Sequence, residues 1–307
     1  MKDHEAEVNN IKKSFSAIKD EQFIRAASGT HHDVYISKDY VIRFRDDDPQ
    51  LLEREASLLK SLDHPIIPKV SWMDAKSFPA AMIERRLPGR TIDSAWKSLT
   101  AGQKENIVSE VIDFLRYMRT IHSDSIYSVQ KGKKYSNFVE YLTDGIKEKI
   151  ERIRKFDIAT AVIGDIASVV DGYIEIKPYF TTSKYSLVHG DLIIHNLLTD
   201  SEKLTGVLDW ELALYGDPDD DLFRLFYYQE CAAAYRDRGV DETFEAEYMD
   251  MLVDAISRQK LIGDEGAFRK KHDFVRAIFF INALSWDAQS SGPEENLKET
   301  INLWNKK

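Results

Sequence analysis

Cysteine occurs once in 307 residues, at Cys231. That excludes an internal disulfide and suits a reducing compartment. No apolar run approaches the roughly 18 residues that a membrane span needs. The opening MKDHEAEVNNIKK is polar and has no apolar signal core, so the expectation is a cytoplasmic protein without a membrane partner. Basic residues are the minority: 42 Lys and Arg against 52 Asp and Glu leave a net charge of −10. A nucleic-acid binder ordinarily presents a basic face, so no nucleic-acid partner is expected, and the balance leaves room for a cationic one. Internal repeats and low-complexity segments are also missing.

What is there reads as a soluble globular chain, 43% apolar and 31% charged, long enough for two lobes or one large domain. Residues 8–20 suggest a short helix. EQFIRAASGTHHDVYISKDYVIRFRDDD alternates apolar and β-branched residues, which predicts three strands, with turns at Gly29 and at residues 37–39. In PQLLEREASLLKSL, Leu51, Leu52, Leu58, Leu59 and Leu62 recur at helical spacing. IIPKVSWMD and FPAAMIERRL read as two more strands, and PGR at 88–90 ends the pattern. A small lobe of five strands and a helix thus closes near residue 87. Beyond it, residues 94–123 read as one helix with Ile107, Val111, Phe114, Leu115 and Met118 as its buried face. Helices at 135–155 and 158–174 follow, then short strands in YSLVHGD, HNLLTD and LTGVLDW, then helix to the end. The expectation is an α+β chain: an N-terminal lobe of antiparallel sheet, 1–87, and a larger, mostly α-helical lobe, 88–307.

The informative stretch is VHGDLIIHNLL, 188–198. Phosphoryl transfer from a nucleotide needs a carboxylate to orient the acceptor hydroxyl, oxygen ligands for Mg²⁺, and a cation on the phosphates. The protein-kinase pattern H-R-D-L-x-x-x-N carries base and metal ligand on one loop, five residues apart. Here Asp191 and Asn196 have that spacing, with Gly190 in place of the arginine. Asp209, ending the strand GVLDW, stands where that pattern has its second metal ligand.

VHGDLxxxN followed by GVLDWELALYGDPDDDL resembles the aminoglycoside phosphotransferase family, antibiotic kinases of protein-kinase-like, bilobal fold. The segment Gly216 to Leu222 and MIERRLPGR at 82–90 share the resemblance, which covers about residues 20–290. It implies a catalytic base at Asp191, Mg²⁺ ligands at Asn196 and Asp209, and a phosphate-positioning cation at Arg43 in YVIRF. It implies a helix partner for that cation at Glu55, with Glu53 as the competitor. Gly29 would let the backbone approach the phosphates. The backbone of Arg85 and Leu87 would bind the nucleotide base, of ATP or GTP. Position 43 is arginine where the kinase pattern has lysine, and the two are not interchangeable.

Other residues have plainer readings. His189 reads as loop-fixing, His195 as solvated or packing, and Cys231 as packing. Asp217 and Asp221 read as bracing a loop and capping a helix, and Asp219 and Asp220 as solvated. Residues 209–265 hold 16 acids against 5 basic residues. That excess would draw a cationic substrate or simply face water. Glu230, Asp237, Glu242 and Asp287 are the candidate substrate acids. Tyr227, Tyr228, Phe280 and Trp286 are either pocket walls or core. The acid balance and the resemblance together imply an O-phosphotransferase acting on a cationic, aminoglycoside-like antibiotic. A macrolide phosphotransferase, a kinase of choline, homoserine or a sugar-like alcohol, and a nucleotide-binding pseudokinase are the alternatives. An intact Asp191, Asn196 and Asp209 weigh against the last. The oligomeric state leaves no mark in the sequence.

Overall fold

A computed structural model describes residues 4–26, 33–180, 184–237 and 243–305. The chain divides into two compact units, Met1–Glu110 with Ser128–Lys133 and His189–Leu214, and Val111–Tyr127 with Lys134–Val188 and Tyr215–Lys307.

The first unit is built on an antiparallel sheet of β1 (Ile24–Arg25), β2 (Asp33–Ile36), β3 (Tyr40–Arg45), β4 (Val70–Asp74) and β5 (Ala80–Arg85), in the order β1-β2-β3-β5-β4. The turn expected at 37–39 joins β2 to β3. Ser37 Oγ accepts from the Tyr40 amide at 3.0 Å and fixes it. Strand side chains alternate between faces. One face carries Tyr40, Ile42, Phe44, Ala81 and Ile83, which form a core with Val8 and Ile11 of helix α1 (Glu5–Ser14). The register pairs Arg43 with Met82 and Val41 with Glu84, so these four residues share the opposite face.

Helix α2 (Pro49–Ser61) starts where Asp48 accepts from the Leu51 amide and Pro49 takes the first turn. Its buried stripe is Leu51, Leu52, Glu55, Ala56, Leu58 and Leu59. Glu55 therefore sits three or four residues from four leucines on one face, and Glu53 faces outward.

The expected single helix over 94–123 is two helices, α3 (Ile92–Trp96) and α4 (Ala101–Met118). The cause is a capping box at Thr100: its hydroxyl accepts from the Gln103 amide, and Gln103 Oε1 accepts from the Thr100 amide at 2.9 Å. Just before α3, Gly89 at φ +104° packs so closely that a Cβ would lie 2.5 Å from the Thr199 carbonyl oxygen. Residues 90–91 form a strand against Leu197–Thr199, which also pairs with Leu204–Val207. This small sheet anchors the end of the loop that carries Asp191 and the start of the loop that carries Asp209.

The second unit contains the helices α5 (Phe138–Thr143), α6 (Ile146–Ile153), α7 (Thr160–Asp171), α8 (Tyr173–Ile176), α9 (Asp220–Asp237), α10 (Thr243–Arg258), α11 (Glu265–Asp287) and α12 (Pro293–Trp304). Strand Tyr185–Val188 pairs antiparallel with His122–Ser123. Helix α11 is apolar nearly all round between Phe274 and Leu284 and packs against α6, α7, α9 and α12. The α+β class and the helical C-terminal part expected from the sequence are present. No helix among the described residues is long and apolar enough to cross a membrane.

Candidate active site

Arg43 lies on β3 with its side chain 9% exposed. Its Nη1 donates to Glu55 Oε1 at 2.6 Å and its Nη2 to Glu55 Oε2 at 3.1 Å, a two-pronged pair from strand to helix. Glu84 Oε1 stands 3.6 Å from Nη1, and Asp209 Oδ1 stands 3.7 Å from Nη2. One guanidinium thus faces three carboxylates. Burial opposes its charge, but Glu55, Glu84 and Asp209 outweigh burial and hold the Arg43 proton more tightly than usual. Glu84 bears the opposite consequence. Burial pushes its carboxyl up to about 7, and the charges of Glu55 and Asp209 add to that against the pull of Arg43.

Glu55 has a third bond. Its Oε1 accepts from the Trp210 amide at 3.2 Å, so the residue after Asp209 is tied to the Arg43 pair. Trp210 is fully buried and its indole N–H donates to the Val207 carbonyl at 3.0 Å. The His189 ring packs edge-on against it, with centroids 4.6 Å apart. His189 Nδ1 accepts from the Asp191 amide at 3.2 Å. Its Nε2 therefore carries the proton and donates to the Leu208 carbonyl at 3.0 Å. His189 is a neutral brace between the two loops, as its plainer reading has it.

The loops also touch backbone to backbone. Gly190 sits at φ +84°, and a Cβ there would fall 2.4 Å from the Leu212 carbonyl oxygen. An arginine cannot occupy this position, which accounts for the departure from the kinase pattern. Asp209 itself adopts φ +64°, a left-handed conformation that Asp tolerates better than most residues. Next to it, Glu211 accepts from Arg45 Nη1 at 2.5 Å, fixing the far side of the turn.

Asn196 Nδ2 donates at 2.9 Å to both the backbone oxygen and Oδ2 of Asp191. The amide oxygen of Asn196 is thereby directed away from Asp191. The side-chain oxygens of Asn196 and Asp209 are hard donors of the kind that Mg²⁺ takes, so the chemistry of these residues fits that ion. His195, by contrast, lies half exposed with Nδ1 3.2 Å from Asp93 Oδ2.

Of the positions expected to bind the nucleotide base, Arg85 has its amide spent on the Lys69 carbonyl at 2.9 Å, and its guanidinium lies over the Tyr40 ring. Leu87 follows β5 in an irregular segment. Gly29 and Glu242 lie outside the described residues, and Asp237 is the last residue of α9. Glu230 directs both carboxylate oxygens at Arg276 Nε, at 2.9 and 2.7 Å. Asp287 accepts from the Thr300 hydroxyl at 2.6 Å, and burial pushes its carboxyl up. Tyr227 packs on Phe279 and Phe280, whereas Trp286 is 69% exposed.

The acids after Gly216 are largely spoken for. Lys271 Nζ bonds Asp217 at 2.9 Å and Asp219 at 2.6 Å, and Arg119 also reaches Asp219. Burial pushes the Asp217 carboxyl up to about 6 despite Lys271. Asp220 is fully buried against Arg224. Asp219 and Asp220, expected to be solvated, are structural instead, because Asp220 pairs with Arg224 one helical turn on and Asp219 with Lys271 and Arg119, 52 and 100 residues away. Sequence reading missed Lys271, Glu84 and Trp210. For Glu84 the one signal was an acid directly after the apolar run AAMI of β5.

Comparison with known proteins places these features. The profile of the phosphotransferase enzyme family matches residues 22–252. A search of curated proteins finds no match. Among solved structures, a thermostable mutant of aminoglycoside phosphotransferase APH(4)-Ia, in ternary complex with ADP and hygromycin B, superposes with a TM-score of 0.71 at 15% identity, over 97% of each chain. The streptomycin–ATP complex of APH(2'')-IIa gives 0.71 at 18% identity, over 100% of this chain and 98% of that one. ADP-bound aminoglycoside phosphotransferase APH(2'')-Ib gives 0.69 at 20% identity, over 97% and 96%. At these identities the likeness is one of fold.

Proposed function

The chain belongs to the phosphotransferase enzyme family, and from that premise we propose that it moves the γ-phosphoryl group of ATP or GTP to a hydroxyl of an aminoglycoside-like antibiotic and so confers resistance. The observation that carries the reading is the coupling of Asp191 to Asn196 on one loop, in the same compact unit as the Arg43–Glu55–Asp209 cluster. Asp191, held by Asn196, orients and accepts the proton of the acceptor hydroxyl. Arg43, fixed by Glu55, faces the phosphates. Asn196 and Asp209 would hold Mg²⁺, which would offset the charge of the transferring group. The Arg85 carbonyl and the Leu87 amide serve the nucleotide base, since the Arg85 amide is already engaged. The complexes of structural neighbours with hygromycin B and streptomycin support a cationic acceptor. Phosphorylation would add negative charge to such a drug and weaken binding that depends on positive charge.

A second reading is a kinase of a small alcohol such as choline, homoserine or a sugar. It is favoured by the internal pairing of Asp217, Asp219, Asp220 and Glu230, which reduces the negative charge left for a polycation. The test is a panel of aminoglycosides, macrolides and small alcohols incubated with the protein, Mg²⁺ and ATP or GTP, read by mass spectrometry. Gain of one phosphoryl group on an aminoglycoside is the expected result. Transfer only to a small alcohol moves the protein to the second reading.

A further inference from the structure

Position 43 carries arginine, and the structure contains a reason for it. Glu84 lies on β5, in register with Val41 and on the same sheet face as Arg43. It is 5% exposed, and its Oε1 has no hydrogen-bond partner among the described residues. Three carboxylates face the one guanidinium, so an ionised Glu84 adds buried negative charge in excess, and an apolar group of similar size in its place leaves Arg43 its two bonds to Glu55 and should stabilise the fold. Such a carboxyl, buried behind the apolar run 80–83 of β5, calls for a role outside stability.

The geometry around the guanidinium supplies one. Glu55 takes one N–H from each η nitrogen. Glu84 lies beyond Nη1, and Asp209 lies beyond Nη2. We infer that Glu84 is a positioning residue: it engages the Nη1 side of Arg43 while Glu55 grips the fork, which leaves the Nη2 side toward Asp209 to meet the phosphates. A lysine has one donor centre. Between Glu55 and Glu84 its ammonium would be drawn to the two carboxylates and away from the nucleotide. Arginine spans the carboxylates and still presents an edge. Glu84 and Arg43 are thus a matched pair, and the inference rests on the reading of Arg43 as the phosphate-facing cation.

The test is a cycle of Glu84→Met, Arg43→Lys and the double variant, with Arg43→Ala as reference. Binding of Mg²⁺·ATP and of adenosine is measured by calorimetry at pH 8, alongside the melting temperature. Glu84→Met is expected to raise Tm by about 2 °C or more. Arg43→Lys alone is expected to weaken ATP binding about tenfold or more, and by less than about threefold in the Glu84→Met background, with adenosine binding unmoved throughout. Losses that simply multiply, or a fall in Tm for Glu84→Met, overturn the inference. If Arg43→Ala leaves the ATP-to-adenosine preference intact, the reading of Arg43 itself fails. If that preference collapses and the cycle is still multiplicative, only the role of Glu84 fails.

Discussion

Glu55 is where removal of one side chain should be felt in both stability and catalysis. It is fully buried and accepts three bonds: two from Arg43 and one from the Trp210 amide. Glu55→Ala leaves a buried guanidinium without its bonded partner, a change that costs about 3–5 kcal/mol in comparable sites. It also strips the Trp210 amide of an acceptor, worth about 1–3 kcal/mol if nothing replaces it. Glu84 and Asp209, at 3.6 and 3.7 Å, are close enough to recover part of the first cost. The net expectation is the lower end, about 3 kcal/mol. That corresponds to a folding constant reduced on the order of a hundredfold. Urea unfolding of the nucleotide-free protein measures it as a fall in midpoint at unchanged slope. Glu53→Ala, on the outward face of the same helix, is the control and should stay within about 0.5 kcal/mol of the parent. Equal effects of the two substitutions would refute the argument that the Glu55 pair organises the site.

Gly190→Ala combines a positive φ with a Cβ placed 2.4 Å from the Leu212 oxygen. It should cost about 2 kcal/mol or more and abolish turnover, checked by unfolding and phosphoryl-transfer assays. In metal-free protein, Glu84 titrates near 7 when folded, above its ordinary 4.5. The folded state then binds the proton more tightly, so the stability that protonation of Glu84 contributes is present below pH 4.5 and is lost as pH rises through 7. The loss is at most about 3 kcal/mol, and urea unfolding of Glu84→Gln should show a flatter pH profile. Asp209→Ala should remove Mg²⁺-dependent transfer, and its melting temperature should no longer respond to Mg²⁺ with ATP.

Much of this was legible in the sequence because it is local. The Asp191–Asn196 spacing, the turn at 37–39 and the helix over 49–61 depend on residues a few positions apart. Glu55 was legible over Glu53 because it falls within the leucine stripe of its helix. The break before α4 had its own signal, the Thr100–Gln103 box, which the run of helix-forming residues masked. Glu84 could not be connected with Arg43, since which residues of β3 and β5 face each other is set by register across the 34 residues of intervening chain, 46–79, including α2 and β4. The pairing of Lys271 with Asp217 likewise joins positions 54 residues apart. Strands of two residues, such as Arg90–Thr91, are too short to leave a period.

The most direct test of the account is Asp191→Asn, compared with the parent in turnover of the best acceptor and in affinity for Mg²⁺·ATP. Asn keeps the size of the side chain and removes its capacity as a base. The account predicts a fall in kcat of about 10²-fold or more, with nucleotide affinity changed by less than about threefold. Turnover that survives the substitution, or a loss of nucleotide affinity as large as the loss of turnover, would contradict it.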